Sequence, residues 1–91
     1  MAQIVVTLRI MPESPKTDLG QIKEKSKVKI REFGGEVGKV EEEPIAFGLK
    51  AVNIIFIIDE GKGSLDPLEE TINKIDGVNS VEVSDVRRAI G

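Results

Sequence analysis

The 91-residue sequence contains no cysteine and no histidine. Without cysteine the chain has no disulfide, no thiol nucleophile and no sulfur ligand for zinc. Without histidine it also lacks imidazole ligands and any side chain whose unperturbed pKa lies near neutrality. These absences exclude most hydrolytic and redox mechanisms. Carboxylate, lysine and hydroxyl groups remain for chemistry, and we expect no bound metal and no cofactor.

Long blocks of one charge sign and long apolar runs are also missing. The 13 basic and 16 acidic residues give a net charge of -3, and this balance argues against direct nucleic-acid binding. No apolar run approaches the roughly 18 residues of a membrane span, and residues 1–11 lack the basic start of a secretory signal. We expect a cytoplasmic protein without a membrane partner.

The length predicts a single domain, residues 1–91. A domain of this size buries only about 60 to 65% of the surface that its unfolded chain exposes, so nearly every apolar residue is needed in one core. Little space is left for a deep catalytic cavity.

The first half of the chain predicts a strand, a helix and a second strand. Apolar residues alternate from Gln3 to Met11, which predicts a half-buried strand. Asp18, with Gln21 three residues later, is a helix-capping pattern. The predicted helix carries an inward stripe and ends at two glycines: Leu19, Ile22, Ser26, Ile30 and Phe33, then Gly34 and Gly35. The polar stretch from Glu36 to Glu43 predicts a weak edge strand.

The second half predicts a central strand, a helix and a last strand. The stretch from Ala46 to Ile58 is the most apolar, and its β-branched residues favour a strand. Asp66, Pro67 and Glu69 predict a helix cap, a first helical position and a reciprocal glutamate. The remaining features are the helix end at Gly77, a strand from Val78 to Val86, and a short tail from Arg87 to Gly91.

The order strand, helix, strand, strand, helix, strand predicts an α+β fold. It favours a four-stranded antiparallel sheet with both helices on one face, which is the ferredoxin-like βαββαβ sandwich. The other face is then open and carries Val5, Thr7, Arg9, Met11, Ile55 and Ile57. An apolar patch on such a face indicates a partner protein or a second copy of the chain.

The fold serves many functions, so individual residues must decide among them. A metal chaperone would need a cysteine pair in the first loop, and none is present. An RNA-binding sheet would need aromatic platforms, but Phe56 is the one aromatic inside the third strand and belongs to the core face. A small-molecule regulatory domain or a plain interaction module remains an open alternative.

One segment between the weak strand and the central strand differs from the rest. It consists of Pro44, Ile45, Ala46, Phe47, Gly48, Leu49 and Lys50. A phenylalanine beside small residues in a turn can fold back over the end of the core. It can equally stand out as a preformed apolar knob that fits a partner's pocket.

This segment resembles the exchange domain of the translation elongation factor 1-beta family. The similarity continues through Ser64 to Asp66 and Ser84 to Val86, while Met11 to Ser14 and Asp85 to Arg88 look like the archaeal short form. The resemblance implies a guanine-nucleotide exchange factor for elongation factor 1-alpha, the GTPase that carries aminoacyl-tRNA to the ribosome. It therefore implies a protein that acts by binding another protein and is not an enzyme. It also implies the ferredoxin-like fold by an independent route.

The resemblance assigns the partner contacts residue by residue. The family's loop phenylalanine, which inserts into the partner GTPase, matches Phe47, and its neighbours Pro44 and Gly48 match as well. The expected partner-binding segment consists of Pro44, Ile45, Ala46, Phe47, Gly48 and Lys50.

The end of the chain departs from the eukaryotic members of this family. Those members carry a next-to-last lysine that reaches the magnesium and phosphate site of the partner. The corresponding position here is Gly91, so that lysine is missing. Arg87 and Arg88 are the nearest cations, and they either contact the partner in its place or form a solvated pair.

Overall fold

The computed structural model describes residues 2–89, which form four strands and two α-helices. In chain order these are β1 (Gln3–Pro12), α1 (Leu19–Phe33), β2 (Glu36–Pro44), β3 (Lys50–Asp59), α2 (Asp66–Asn73) and β4 (Val78–Arg88), with a 3-10 turn at Glu60–Lys62 before α2. The strands form one sheet in the order β2-β3-β1-β4, and every neighbouring pair is antiparallel. This confirms the predicted ferredoxin-like sandwich.

The core lies between one face of the sheet and the two helices. Alternate residues of the central strands, such as Leu8 and Phe56, are fully buried there against Ile22 and Ile30 of α1 and Ile72 of α2. The opposite alternation places a half-buried row on the open face, as predicted: Val5, Thr7, Arg9, Met11, Ile55 and Ile57. The period of two along β1 and β3 therefore decides which residues meet the helices.

The two outer strands each contain a bulge. In β2 the register against β3 shifts between Val37 and Lys39, so Gly38 is the extra residue. The shift places Val37 and Val40, three positions apart, opposite core residues of β3. In β4 the register against β1 shifts at Ser84, whose hydroxyl donates a hydrogen bond of 3.2 Å to the carbonyl of Thr7. It shifts again at Asn79, near the start of the strand. These irregularities bend the edges without breaking the sheet.

The first helix begins and ends as its sequence predicts. The Asp18 carboxylate accepts a hydrogen bond of 3.2 Å from the amide of Gln21, and Gly34 ends the helix with a φ of 104°. A positive φ of this kind strains residues with a Cβ, which explains a glycine at the helix end.

The second helix differs from its prediction at both ends. Leu65 occupies the N-cap position without a side-chain cap, and the Ser64 hydroxyl accepts a hydrogen bond from the Asp66 amide. Asp66 is therefore the first helical residue and not the cap, because the amide of Glu69 donates its hydrogen bond, of 3.0 Å, to the carbonyl of Leu65. The helix ends at Asn73, before the turn that reaches Gly77.

Two strand boundaries also differ from the sequence prediction. β3 begins at Lys50 and not at Ala46, because a turn precedes it. β4 continues through Arg87 and Arg88, which pair with Val5 and Ile4. The prediction of a free tail from Arg87 is therefore wrong for these two residues. Ile90 and Gly91 lie outside the described residues.

Candidate partner-binding site

The connection between β2 and β3 is a tight hairpin turn with Phe47 at its tip. The amide of Leu49 donates a hydrogen bond of 3.1 Å to the carbonyl of Ala46, and the amide of Ile45 donates one of 2.8 Å to the carbonyl of Leu49. Phe47 and Gly48, the two central residues, have φ values of 60° and 76°. Positive φ at both central positions is the pattern of type I′ turns, whose twist suits the flanking strands.

The side chain of Phe47 is 93% exposed. This value decides between the two outcomes left open by the sequence, because a ring folded over the core end would be largely covered. By contrast, Phe56 on β3 is 0% exposed and belongs to the core. Phe47 therefore stands clear of its own domain as an apolar knob.

The backbone of Phe47 is also strained. Among residues 2–89, Phe47 is the one non-glycine residue with a positive φ. The left-handed region costs a residue with a Cβ about 1–2 kcal/mol. An exposed aromatic ring on a strained backbone does not stabilise the fold. Residues with strained backbone conformations cluster at functional sites.

A second loop lies beside the hairpin turn. A Cβ added to Gly48 would lie 3.8 Å from Cβ of Pro15, in the loop between β1 and α1. That loop is held by a hydrogen bond of 2.8 Å from the Glu13 amide to the Gly77 carbonyl, and by one of 3.2 Å from the Ser14 amide to Oγ1 of Thr17. The turn that presents Phe47 is thus backed by a second ordered loop.

Ion pairs anchor the strand that leads into the turn. Glu42 accepts a short hydrogen bond from the Lys23 ammonium on α1, and its other oxygen lies 3.9 Å from Nζ of Lys50. The hydrogen bond and the positive charge of Lys23, with a smaller contribution from Lys50, lower the pKa of Glu42 below its usual value.

On the open face, Glu43 makes the corresponding contacts. Its Oε1 accepts a hydrogen bond of 3.1 Å from Nδ2 of Asn53 and lies 3.7 Å from Nη1 of Arg9. Consecutive glutamates therefore tie β2 to α1 and β3 on one face and to β1 and β3 on the other.

Arg87 and Arg88 lie at the opposite end of the sheet. Arg88 pairs with Ile4, and Ile4 pairs with Ile58 near the far end of β3 from the turn. The eight residue steps from Lys50 to Ile58 span about 26 Å at the usual rise of a strand, in a molecule whose longest dimension is 42 Å.

The two arginines also differ in their local contacts. Arg87 donates a hydrogen bond of 2.7 Å from Nε to Oδ2 of Asp85, while Nη2 of Arg88 lies 3.5 Å from Oε2 of Glu60. As consecutive strand residues they face opposite sides of the sheet. They therefore do not form a single cationic cluster.

The structure thus brings together part of the predicted site. Six of the residues form the turn and its flanks: Pro44, Ile45, Ala46, Phe47, Gly48 and Lys50. Arg87 and Arg88 form no part of this region. Pro15, which the sequence did not indicate, joins it through a contact between residues distant along the chain.

Within residues 2–89, no group of three or more acidic side chains is arranged to hold a metal ion. No helix of the described chain is both long enough and apolar enough to cross a membrane. The features that distinguish the hairpin-turn end of the molecule are the exposed ring of Phe47, its strained turn and the adjacent loop that contains Pro15.

Residues 5–89 match the family described as the EF-1 guanine nucleotide exchange domain. The chain belongs to this family. Similar proteins named elongation factor 1-beta extend the match over nearly the whole length. The one from Methanobrevibacter smithii is 48% identical over 88 residues, which cover 97% of this chain and 98% of the relative. The one from Methanothermobacter thermautotrophicus is 43% identical over the same shares.

A relative from a third genus matches over a similar length. Elongation factor 1-beta of Staphylothermus marinus is 43% identical over 89 residues, covering 97% of this chain and 98% of the relative. These proteins are archaeal, so the resemblance to the short archaeal form is confirmed.

Solved structures show that this exchange-domain family member shares its fold with proteins of low sequence identity. The C-terminal domain of the MgtC protein from Mycobacterium tuberculosis superposes with a TM-score of 0.64 at 10% identity, covering 97% of this chain and 88% of that one. The ACT domain of GTP pyrophosphokinase from Chlorobium tepidum gives 0.60 at 18% identity, covering 89% and 97%. At these identities the likeness concerns the fold alone.

Proposed function

We propose that this chain is a guanine-nucleotide exchange factor that promotes GDP release and GTP reloading of translation elongation factor 1-alpha during polypeptide chain elongation. Its family membership and its similarity to proteins named elongation factor 1-beta support the proposal. The structural observation that carries it is Phe47, 93% exposed at the tip of a strained turn.

Phe47 is the proposed contact that enters a pocket of the partner. The turn holds the ring in place before binding, which reduces the ordering that binding would otherwise require. Transfer of a phenyl side chain from water into an apolar pocket contributes about 1.5–3 kcal/mol. Large aromatic anchors of this kind dominate the energy of many interfaces.

The proposed mechanism is coupling between two binding events. A GTPase with a phosphate-binding loop holds its nucleotide through loop amides, a lysine and a magnesium ion. A protein that binds best when those groups are displaced must weaken nucleotide binding by the same free energy. No covalent bond forms or breaks, so the chain needs no nucleophile or general base of its own.

The free energy needed to accelerate nucleotide release indicates that Phe47 does not act alone. A 1,000-fold acceleration of release needs roughly 4 kcal/mol, at 1.36 kcal/mol for each factor of ten. The residues flanking the ring, Pro44, Ile45, Ala46, Gly48 and Lys50, therefore contribute to the proposed contact surface. Pro15 extends that surface through its approach to Gly48.

Arg87 and Arg88 enter the proposal as a separate contact region. About 26 Å of sheet separates them from the turn, so a partner that contacts both regions must extend along the long axis of this domain. Each arginine faces a carboxylate, which it would have to exchange for a group of the partner. The proposal includes no nucleic acid and no membrane, and places the protein in the cytoplasm with its GTPase.

Release of a fluorescent GDP analogue from purified elongation factor 1-alpha tests the proposal. We expect the wild-type chain to accelerate release and Phe47→Ala to remove most of the acceleration while unfolding at the same temperature. Phe47→Leu should retain a part of it, because leucine keeps an apolar side chain at the tip. Val86→Ala is the matched control, since Val86 is also an exposed apolar residue at 50% but lies on β4.

Two results would contradict the proposal at different levels. Full acceleration by a folded Phe47→Ala variant would reject the role of the ring. No acceleration by the wild-type chain, together with thermal stabilisation by a small metabolite, would favour a ligand-binding regulatory module.

A further inference from the structure

A groove of about 690 Å³ is lined by residues of α1 and by the end of α2 with the turn that follows it, and none of its lining residues belongs to the hairpin turn. The α1 residues have the spacing i, i+3, i+4, which places them on one helix face. Lys25, Val28 and Lys29 come from α1, and Thr71, Lys74 and Ile75 come from α2 and the turn that follows it. Asp76 closes one end.

The floor of the groove is apolar. Ile75 is 9% exposed, but Val28 is 45% exposed although it lies in the middle of a helix. Among residues 2–89, Val28 is one of three large apolar residues that remain exposed, with Phe47 and Val86. A partly uncovered valine between two packed helices leaves apolar surface that an incoming side chain can cover.

The rim of the groove is positively charged, although the chain as a whole carries a net charge of -3. Three lysines and one aspartate line it. Lys29 lies 3.6 Å from Glu32, but within the described chain Lys25 and Lys74 form no ion pair. Two ammonium groups on either side of an apolar floor are thus available to carboxylates of a partner.

We infer that this groove docks an acidic amphipathic segment of a partner protein, whose apolar side chain covers Val28 while its carboxylates pair with Lys25 and Lys74. A helix in a groove between two helices is a recurring mode of peptide recognition, with apolar anchors at helical spacing. Complementary charge at the rim sets the orientation and excludes basic segments.

A nucleic acid fits the same surface less well. Single strands are held by aromatic side chains on which bases stack, and the residues that line the groove include no aromatic ring. The apolar floor would also remain uncovered by a phosphate backbone. Neither Phe47 nor any other residue of the hairpin turn lines the groove, so this inference does not depend on the exchange activity.

Titration of the isotope-labelled chain with a short blocked peptide, in which glutamates surround leucines at helical spacing, tests the inference. We expect backbone NMR shifts concentrated at Val28 and Ile75, and binding that weakens as salt is added. Lys25→Glu and Lys74→Glu should each raise the dissociation constant about tenfold. Lys39→Glu, the same charge change on β2, is the matched control and should leave binding almost unchanged.

The proposed apolar contact with Val28 is tested by comparing two peptides. A peptide with serine in place of leucine should bind more weakly to the wild-type chain, and Val28→Ser should remove that preference. Phe47→Ala should bind the leucine peptide as the wild type does, which separates this surface from the proposed GTPase contact.

Four results would overturn the inference. These are absence of peptide binding, shifts located away from the groove, equal binding of the serine and leucine peptides, and tighter binding of a poly-deoxythymidine strand than of the acidic peptide. The last would identify the groove as a nucleic-acid surface.

Discussion

Lys23 on α1 and Glu42 on β2 form an ion pair that joins the helix layer to the edge of the sheet. The pKa of Glu42 is lowered by this contact, so folding favours its ionised form. The stabilisation is therefore present above the unfolded-state pKa and is lost as the pH falls through the folded-state value. Because both groups are partly exposed, the effect is modest and salt-dependent.

We expect the free energy of unfolding of the wild-type chain to decrease on acidification below the ordinary glutamate value of 4.5. Glu42→Gln should show a smaller decrease, because glutamine does not ionise. Denaturant titrations across this pH range measure both. Glu41→Gln, which removes the neighbouring carboxylate beside Lys39, should keep the wild-type slope; identical slopes for Glu42→Gln and wild type would contradict the prediction.

The two arginines of β4 provide a second prediction. If they contact the GTPase, Arg87→Ala and Arg88→Ala should each slow GDP release about tenfold at low salt, since they remove a charge that pairs across an interface. Point substitutions are preferable to truncation, because Arg87 and Arg88 pair with Val5 and Ile4 in the sheet.

The matched control is Lys62→Ala, another cation at the same end of the molecule. Unchanged release rates in both arginine variants would show that these side chains only pair with Asp85 and Glu60.

Gly77 provides a prediction about stability. Its φ is 90°, and an added Cβ would lie 2.7 Å from Cγ2 of Thr17. Gly77→Ala therefore combines backbone strain with a clash, and we expect a loss of about 2–3 kcal/mol. Gly48→Ala separates the two causes, since Gly48 also has a positive φ, of 76°, but the added carbon would meet Pro15 only at 3.8 and 3.9 Å, which is ordinary contact.

Thermal and denaturant unfolding measure these differences. The Gly77→Ala variant should be less stable than Gly48→Ala, and adding Thr17→Ser should recover part of the difference by removing Cγ2. Equal losses at the two glycines would mean that Thr17 moves aside without cost.

Ser26 provides a prediction of increased stability, in contrast to the loss expected at Gly77. It lies in the middle of α1 facing the sheet, is 0% exposed, and its hydroxyl oxygen has no hydrogen-bond partner within the described chain. Ser26→Ala removes a buried unpaired group and improves helix propensity, so we expect a gain of about 1 kcal/mol. Ser84→Ala is the control, because it removes a hydroxyl that is bonded to Thr7; a loss of stability in Ser26→Ala would contradict the prediction.

Much of the fold could be predicted from local pattern. The alternation of β1, the capping pair Asp18 and Gln21, and the terminal Gly34 are signals within a few residues of one another. The sequence places the start of β3 too early because three apolar residues of the turn, Ala46, Phe47 and Leu49, extend the apolar stretch of the strand. The end of β4 was misplaced because the bulge at Ser84 shifts the alternation by one residue.

The candidate site could be predicted only in part, for related reasons. The turn segment is identifiable by its residue types, but the exposure of Phe47 depends on both central residues adopting a positive φ. The approach of Pro15 and the distance of Arg87 and Arg88 depend on strand order and register. These are properties of the whole sheet, which no local pattern contains.

The bulges at Gly38 and Ser84 have a consequence beyond the shape of the domain. They interrupt β2 and β4, the two strands whose outer backbone groups have no neighbour within the described chain. A straight edge offers a continuous template on which a foreign strand can pair, and an interrupted edge does not. A crowded cell can therefore contain many copies of this domain with little risk that they polymerise through their sheets.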